Sequence, residues 1–283
     1  MLDEKKLDIF MEEALREDVG SGDHTSNACI DQNSRTNAYL LVKDIGVLAG
    51  VELAEKIFRK LDPDLEFKAN ISDGTDIKNG DIAFEMNCNT RKMLMGERLV
   101  LNLMQRMSGI ATMSSRFAVE VEGLPVKILD TRKTTPLLRF LEKWAVKIGG
   151  CHNYRTGLYD RIMIKDNHID SCGGIEDAIY KVHDYLKEQN LDLAITIEVR
   201  NLVELHQVIQ TGGVHRIMLD NFELPLLREA VNTVDKKFET EASGGIHLRN
   251  IREFALTGVD FISVGALTHS AGSLDLSLKT AKR

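Results

Sequence analysis

Three segments in the first 121 residues have apolar residues at the spacing of an amphipathic helix. They are residues 2–18, 51–61 and 90–121. The second is expected to end before Pro63, because the residue before a proline avoids helical backbone angles. The third is expected to be interrupted near Ser108 and Gly109. The spacing therefore predicts three helices in this part of the chain.

Two stretches between these helices have the pattern of strands and turns. RTNAYLLVKDIGVLAG (35–50) predicts one or two strands, and LEFKANISDGTDIKNGDIAFEMNC (65–88) predicts strand, turn and strand. The dipeptides DG and NG are turn signals. The order helix, strands, helix, strands, helix predicts a small α+β domain over residues 1–112.

After Pro125 short apolar runs recur, each followed by a helical pattern. The runs are Val126–Leu129, Arg161–Ile164, Leu193–Val199, His215–Leu219, Phe238–Ala242 and Phe261–Val264. Strands that alternate with helices predict βαβ units, a parallel sheet and an α/β fold. Six strands are fewer than the usual eight, so we expect an incomplete or irregular barrel over residues 113–269.

Polar residues and glycines stand where these runs end. In a barrel the carboxyl ends of parallel strands converge on one face, where barrel enzymes hold their chemistry. In an open doubly wound sheet only two or three of the six ends would meet.

The segment from Ile128 to Arg155 has three arginines, three lysines and a histidine against two carboxylates, although the net charge is −7. Arg132 and Lys133 directly follow a predicted strand. If a helix begins there, its N-terminus favours anions, so two cations at that point indicate an anionic ligand. The alternatives are a solvated helix face, or local pairing with Asp130.

Further residues at the predicted strand ends extend this pattern. Arg155, Lys165 and His168 are three more potential cations, and closely packed cations repel unless something anionic joins them. Glu198 and Asp220 are either counter-ions or carboxylates for Mg²⁺, sugar hydroxyls or a positive transition state. The glycine loops that follow the last two runs fit a phosphate site, although glycine also serves ordinary turns.

Composition excludes several classes of protein. The chain has 283 residues and is 43% hydrophobic, typical of an ordinary globular protein. The acidity of the chain argues against general nucleic-acid binding. The sequence contains no run of 18 apolar residues, so no membrane-spanning helix is expected. The charged start lacks a secretory apolar region, and the four cysteines lie far apart. We therefore expect a cytoplasmic protein with free thiols.

An ordered set of motifs resembles one known family. The motifs are ERLVLNLMQRMSGIAT, DTRKTTP…EKWAVKIGG, NYRTGLYD, IKDNH, IEVRN, LDNF, EASGGI and ISVGALTHS. In this order they resemble the quinolinate phosphoribosyltransferase family, over nearly the whole chain from REDVGSGDHTS to the last helix. The ordered set is specific, although single motifs are not.

This resemblance implies a fold and a reaction. The fold would be an N-terminal α/β sandwich domain followed by an open, incomplete TIM-like βα barrel, with the tail at about 270–283 packing back on the first domain. The reaction would convert quinolinate and phosphoribosyl pyrophosphate to nicotinate mononucleotide, pyrophosphate and CO₂ with Mg²⁺, a step of de novo NAD synthesis. The resemblance also implies a homodimer with shared active sites, each using Arg98 of the neighbouring subunit.

The resemblance also implies roles for individual residues. Lys133, Glu198 and Asp220 would be catalytic, with Lys133 facing pyrophosphate and the two carboxylates binding Mg²⁺ and ribose hydroxyls. The residues implied in substrate binding are Arg98, Arg132, Tyr154, Arg155, Lys165, Ser243, Gly244, Gly245, Ser263, Gly265 and His269.

Tyr154 departs from the family pattern, which usually has histidine there. Tyrosine has no positive charge at neutral pH, and His152 lies two positions earlier. This difference leaves open a paralogous phosphoribosyltransferase that acts on nicotinate or another anionic acceptor, or a relative from a molybdenum locus. A third hypothesis is a phosphometabolite-binding protein without catalysis. The presence of Lys133, Glu198 and Asp220, the residues implied in catalysis, argues against it.

Overall fold

The computed structural model describes residues 4–280, which form two compact units. The N-terminal unit contains the chain up to residue 115, residues 140–150 and the chain from residue 271 onward. The barrel unit contains residues 116–139 and 151–270. The sequence prediction placed the boundary at residue 112 and did not assign residues 140–150 to the first unit.

The N-terminal unit is built around an antiparallel sheet of order β12-β1-β5-β3, with a second pair, β2-β4. Its strands are β1 (Arg35–Val42), β2 (Gly46–Val47), β3 (Glu66–Ala69), β4 (Asp76–Ile77), β5 (Ile82–Asn89) and β12 (Leu276–Thr280). The first helices of the chain are α1 (Glu4–Val19), α2 (His24–Cys29), α3 (Val51–Leu61), α4 (Thr90–Glu120) and α5 (Arg139–Ile148). Alternate residues of β1 are buried, namely Ala38, Leu40 and Val42, as expected for a strand with one face on a core.

The chain beyond residue 270 returns to this unit as a strand. β12 pairs antiparallel with β1, from Ala38 opposite Thr280 to Val42 opposite Leu276. Residues 281–283 of the predicted tail, and residues 2 and 3 of the first predicted helix, lie outside the described residues.

The helix α4 is continuous, so the predicted interruption near Ser108 and Gly109 is wrong. The Ser108 hydroxyl accepts the N–H of Ala49 (3.0 Å) and donates to the carbonyl of the same residue (3.2 Å). Gly109 lies so close to the carbonyl of Gly272 that a side chain there would collide with it. These two residues therefore serve packing within the N-terminal unit and do not break the helix.

The barrel unit contains six parallel strands in the order β6-β11-β10-β9-β8-β7. They are β6 (Lys127–Leu129), β7 (Ile162–Ile164), β8 (Ile195–Val199), β9 (Arg216–Asp220), β10 (Glu239–Ser243) and β11 (Phe261–Ser263). The helices are α6 (Asp166–Cys172), α7 (Ile175–Glu188), α8 (Leu202–Thr211), α9 (Leu224–Val234), α10 (Ile251–Ala255) and α11 (Ala266–His269). β6 and β7 are the two edges of this sheet, so the predicted open, incomplete barrel is confirmed.

The cysteines and the helices can be compared with the predictions of free thiols and of no membrane span. The four cysteines are free thiols, and burial raises the pKa of Cys88 to about 11 and that of Cys151 to about 12. Among the helices between residues 4 and 280, none combines the length and the apolar content that a bilayer-spanning helix needs.

Candidate active site

A cavity of about 690 Å³ lies in the barrel unit, where the carboxyl ends of the parallel strands meet. Every residue of the predicted site except Arg98 lines this main cavity. The predicted residues present are Arg132, Lys133, Tyr154, Arg155, Lys165, Glu198, Asp220, Ser243, Gly244, Gly245, Ser263, Gly265 and His269. The polar strand ends therefore converge, as the barrel prediction requires.

Two loops that bear cations are tied together by Arg139. Its guanidinium donates to the Thr134 hydroxyl (2.9 Å), to the carbonyl of Thr156 (3.0 Å) and to that of Arg132 (3.3 Å). The helix α5 begins at Arg139, so the premise that a helix starts at Arg132 and Lys133 is wrong. The two cations are held by loop structure and not by a helix terminus.

Arg132 and Arg155 lie near each other, and neither forms an ion pair with a carboxylate between residues 4 and 280. The Nε atom of Arg132 is buried and has no hydrogen-bond partner among residues 4–280. Burial, followed by the nearby Arg132 charge, lowers the pKa of Arg155. A buried donor without a partner and two repelling guanidiniums both cost free energy, so this wall of the cavity fits an anionic ligand.

Lys165 and Glu198 form an ion pair, with 3.0 Å between the ammonium Nζ and a carboxylate oxygen. Glu198 is only 8% exposed, so the ion pair places a buried carboxylate beside an opposite charge. The backbone N–H of Lys165 donates to Nδ1 of His168 (2.9 Å) at the start of α6. His168 is exposed and caps this short helix, and it is not one of the residues that line the cavity.

Asp220 is held at the end of β9 by two neighbours. One oxygen accepts the Ser243 hydroxyl (2.6 Å) and the other accepts the side-chain amide of Asn221 (2.6 Å). Glu198 lies opposite Met218 in the neighbouring strand, so Glu198 and Asp220 project from the same face of the sheet. The two carboxylates therefore share one wall of the cavity.

The glycine loop after β10 leaves backbone exposed to the cavity. Gly244 and Gly245 adopt left-handed angles, with φ of +91° and +62°. A side chain at Gly244 would collide with the Asn221 amide, so glycine is required there. This shape lets backbone N–H groups approach an oxyanion, the arrangement expected for a phosphate.

Tyr154 is fixed on several sides and points its hydroxyl into the barrel. The hydroxyl donates to Thr196 Oγ1 (2.8 Å), and the backbone N–H donates to the buried carboxylate of Asp130 (2.8 Å). The ring centroid lies 5.5 Å from the guanidinium carbon of Arg161 and 5.3 Å from that of Arg216. Burial raises the pKa of the Tyr154 phenol, so the side chain stays neutral at physiological pH and adds no cation to the site.

We expect Tyr154→Phe to lower the free energy of unfolding by about 1 kcal/mol, because one buried hydrogen bond is lost while the aromatic ring remains between the guanidiniums. Urea unfolding measures this effect. Tyr185→Phe is the matched control, since Tyr185 is 51% exposed. An equal change in both variants would mean that the bond to Thr196 does not stabilise the fold.

Several residues of the site were not predicted from the sequence. Those that line the main cavity are Met163, Met218 and Ile246, while Thr131, Asn221 and Ala266 were recognised only as residues at predicted strand ends. Met163 and Met218 could have been found from strand alternation, since each lies two positions before a predicted site residue. Asp130 was considered only as a local partner, whereas it is fully buried and orients the backbone at Tyr154.

Arg98 is an exposed residue of α4 in the N-terminal unit and does not line the main cavity. Its predicted role required a second subunit, so it stays a prediction.

Comparison with known proteins assigns the family. The family description "Quinolinate phosphoribosyl transferase, N-terminal domain" matches residues 23–108, and the description of its C-terminal domain matches residues 110–279. This chain belongs to the quinolinate phosphoribosyltransferase family. The assignment covers both units and agrees with the resemblance seen in the motifs.

Named relatives in the quinolinate phosphoribosyltransferase family are similar over most of their length. A protein of Nicotiana tabacum named quinolinate phosphoribosyltransferase [decarboxylating] 1b is 43% identical over 94% of this chain and 80% of its own. The chloroplastic nicotinate-nucleotide pyrophosphorylase [carboxylating] of Arabidopsis thaliana is 44% identical over the same shares. The crystal structure of NadC from Streptococcus pyogenes is 36% identical, with a TM-score of 0.92 over 100% of this chain and 99% of that one.

Proposed function

We propose that this chain transfers the phosphoribosyl group of phosphoribosyl pyrophosphate to quinolinate and releases pyrophosphate and CO₂, giving nicotinate mononucleotide for NAD synthesis. The observation that supports it most directly is the main cavity, where uncompensated cations face two carboxylates and a glycine loop. Relatives at 43–44% identity are named for this reaction in its two directions.

The cations of the main cavity match the charge of quinolinate, which is a dianion at neutral pH. Arg132 and Arg155 supply planar forks for carboxylates, and Lys165 supplies a point charge. Binding two carboxylates at fixed points also orients the pyridine nitrogen toward the sugar. This positioning converts an encounter of two substrates into a reaction within one complex.

The opposite side of the cavity suits the sugar donor. Lys133 faces the pyrophosphate, while Ser243, Gly244 and Gly245 receive the 5′-phosphate. When pyrophosphate leaves, positive charge grows on the ribose ring. Glu198 and Asp220 stabilise that charge because both carboxylates project from the same face of the sheet.

Mg²⁺ fits this site only in partnership with substrate. Among residues 4–280 no three His, Cys, Asp or Glu side chains form a metal-binding group. Mg²⁺ commonly uses one or two carboxylates together with substrate phosphates, so Glu198 and Asp220 would hold it jointly with pyrophosphate oxygens. When bound, the ion neutralises charge that develops on the leaving group.

Decarboxylation follows from the first step without another cofactor. Once the pyridine nitrogen is bonded to ribose it is quaternary and positive. Loss of the adjacent carboxylate as CO₂ leaves an electron pair beside that cation, which stabilises it, and a proton then completes the nicotinate ring. The cation-lined cavity holds the ring in place for both steps.

The test of this function is release of CO₂ from carboxyl-labelled quinolinate in the presence of phosphoribosyl pyrophosphate and Mg²⁺. We expect release that requires all three components. Nicotinate is the matched control acceptor, because it lacks the second carboxylate that the cation set recognises. Nucleotide formation from nicotinate without CO₂ release from quinolinate would instead favour the paralogous transferase.

We also propose a homodimer in which Arg98 of one subunit completes the main cavity of the other. Arg98 supports this proposal because it is an exposed cation on α4 and is not one of the residues that line the main cavity of its own chain. An arginine there would add a further contact to a quinolinate carboxylate.

Mixing two inactive variants tests this arrangement. Arg98→Ala and Arg132→Ala each remove one required arginine, but a hybrid dimer contains one site with both arginines intact. Random pairing is expected to restore about a quarter of wild-type activity, since about half of the dimers are hybrids and each has one intact site. Absence of activity in isolated hybrid dimers would contradict the shared site.

We propose a cytoplasmic location on the basis of the four free cysteines, which fit a reducing compartment. The relative from Arabidopsis thaliana is named as chloroplastic. Cell fractionation with an antibody against the chain tests this proposal.

A further inference from the structure

A second cavity of about 360 Å³ lies in the barrel unit, on the other side of Tyr154 and Arg155. Its wall includes the first residues of three strands, Lys127 of β6, Arg216 of β9 and Phe261 of β11. These residues belong to the amino ends of the strands, whereas the main cavity lies at the carboxyl ends. The volume is at the lower end of the range for small-molecule sites, so a small ligand would fit.

The positive charge of Arg216, which lines this cavity, is compensated by two carboxylates. Its guanidinium donates to Glu239 and to the fully buried Glu241, both at 2.9 Å. It also stacks on Phe261, 3.6 Å from the ring centroid. The guanidinium of Arg216 therefore has its partners within the protein and does not require an anionic ligand.

The other cations of the second cavity are different. Lys127, Arg155 and Arg161 line it, and none of them forms an ion pair with a residue between 4 and 280. Arg161 uses one nitrogen to donate to Thr196 Oγ1 (3.0 Å), and most of its N–H groups have no acceptor among residues 4–280.

The carboxylate that lines this cavity compensates these cations only in part. Asp160 directs its two oxygens to the backbone N–H groups of Thr156 (2.6 Å) and Gly157 (3.0 Å). With the two carboxylates that bind Arg216, three carboxylates stand against four cations, namely Lys127, Arg155, Arg161 and Arg216, so one positive charge remains in surplus. In a protein of net charge −7 such a surplus inside a concave site is stabilised by an anion.

We propose that the second cavity binds a small phosphate-type oxyanion with two or more negative charges, through Lys127 and Arg161. The guanidinium fork and the ammonium group are the pair of donors that suit such an oxyanion. The source is free phosphate, pyrophosphate or the phosphate group of a nucleotide. The proposal does not depend on the reaction assigned to the main cavity.

Calorimetric titration with inorganic phosphate tests the site, in a Lys133→Gln background that weakens anion binding in the main cavity. We expect phosphate binding to persist in this background. Adding Lys127→Gln should weaken it about tenfold, since one charge-assisted hydrogen bond is lost. Adding Lys187→Gln, an exposed lysine of α7 outside both cavities, should change it less than about twofold. Parallel titrations with pyrophosphate and adenosine monophosphate distinguish the sources.

Two results would overturn the proposal. One is loss of all phosphate binding in Lys133→Gln, and the other is equal binding with and without Lys127→Gln. A crystal grown with tungstate locates the site independently, with an anomalous peak expected within hydrogen-bond distance of Arg161. Since Lys127 is exposed, its substitution tests binding without threatening the fold. The CO₂ assay is measured separately, so failure of this site and failure of the proposed reaction are distinguishable.

Discussion

Replacement of Arg132 by alanine is expected to weaken quinolinate binding by about 30-fold to about 4,000-fold, the equivalent of roughly 2–5 kcal/mol. The guanidinium lines the main cavity, and its buried Nε has no hydrogen-bond partner in the part of the chain that the structure describes. The ligand therefore supplies the missing acceptor, and the variant loses a contact that no neighbouring group replaces. The free energy of unfolding should stay constant or rise slightly, since an unpaired buried donor is removed.

Steady-state kinetics and calorimetry with quinolinate measure this effect, with urea unfolding as the measure of stability. Arg249→Ala is the matched control, because Arg249 is exposed and lies outside the main cavity. Arg132→Lys should be intermediate, since it keeps the charge and loses the planar fork. Wild-type affinity in Arg132→Ala would show that the cation set does not recognise quinolinate.

Glu198→Gln is expected to lower kcat by about 100-fold to 1,000-fold, the range seen when one preorganised electrostatic contact is lost. Glutamine keeps the size of the side chain and removes its charge. That charge is 3.0 Å from Lys165 and lies on the wall where the ribose becomes positive. The KM for quinolinate should change less than kcat, because the carboxylate acts mainly in the transition state.

Glu204→Gln provides the control for Glu198→Gln. Glu204 is also a largely buried carboxylate in an ion pair, with Arg200, but it does not line the main cavity. Full activity in Glu204→Gln would show that loss of an ion pair in this unit is not sufficient to stop turnover. If Glu198→Gln turned over at the wild-type rate, the charge of Glu198 would have no part in catalysis.

The barrel could be predicted from the sequence because its signal is local. Each strand is a short, largely apolar run followed by a helical pattern, and in β8 the apolar residues Ile195, Ile197 and Val199 alternate with Thr196 and Glu198. The convergence of Lys165, Glu198 and Asp220 then follows from parallel strands alone. Predicted strand ends differ from the observed ones by a residue or two, and β9 and β10 continue one residue past the predicted runs, into Asp220 and Ser243.

Errors arose where a residue acts through a distant contact. Ser108 and Gly109 look like helix breakers, yet they accommodate Ala49 and Gly272 from remote parts of the chain. No local pattern contains that information, since the partners are far apart in the sequence. Tertiary packing therefore overrode the propensity of these two residues.

The environment of Tyr154 was also beyond the sequence. Its partners Thr196, Arg161 and Arg216 come from three different segments, and none stands at a predicted strand end that faces the main cavity. The loop that bears Arg132 was wrongly placed at a helix start, because Arg139 binds the loop to its neighbour before α5 begins. Such contacts between distant segments depend on strand register, and the sequence around a single residue does not reveal that register.

The pairing of β12 with β1 has a consequence for biosynthesis. During translation β1 is synthesised more than two hundred residues before β12, the strand that pairs with its edge. Until β12 has been synthesised, the nascent chain exposes an unpaired edge at β1, the kind of edge that templates aggregation. Completion of this sheet must therefore await synthesis of residues 276–280, so a nascent chain that stalls before them keeps an open strand edge.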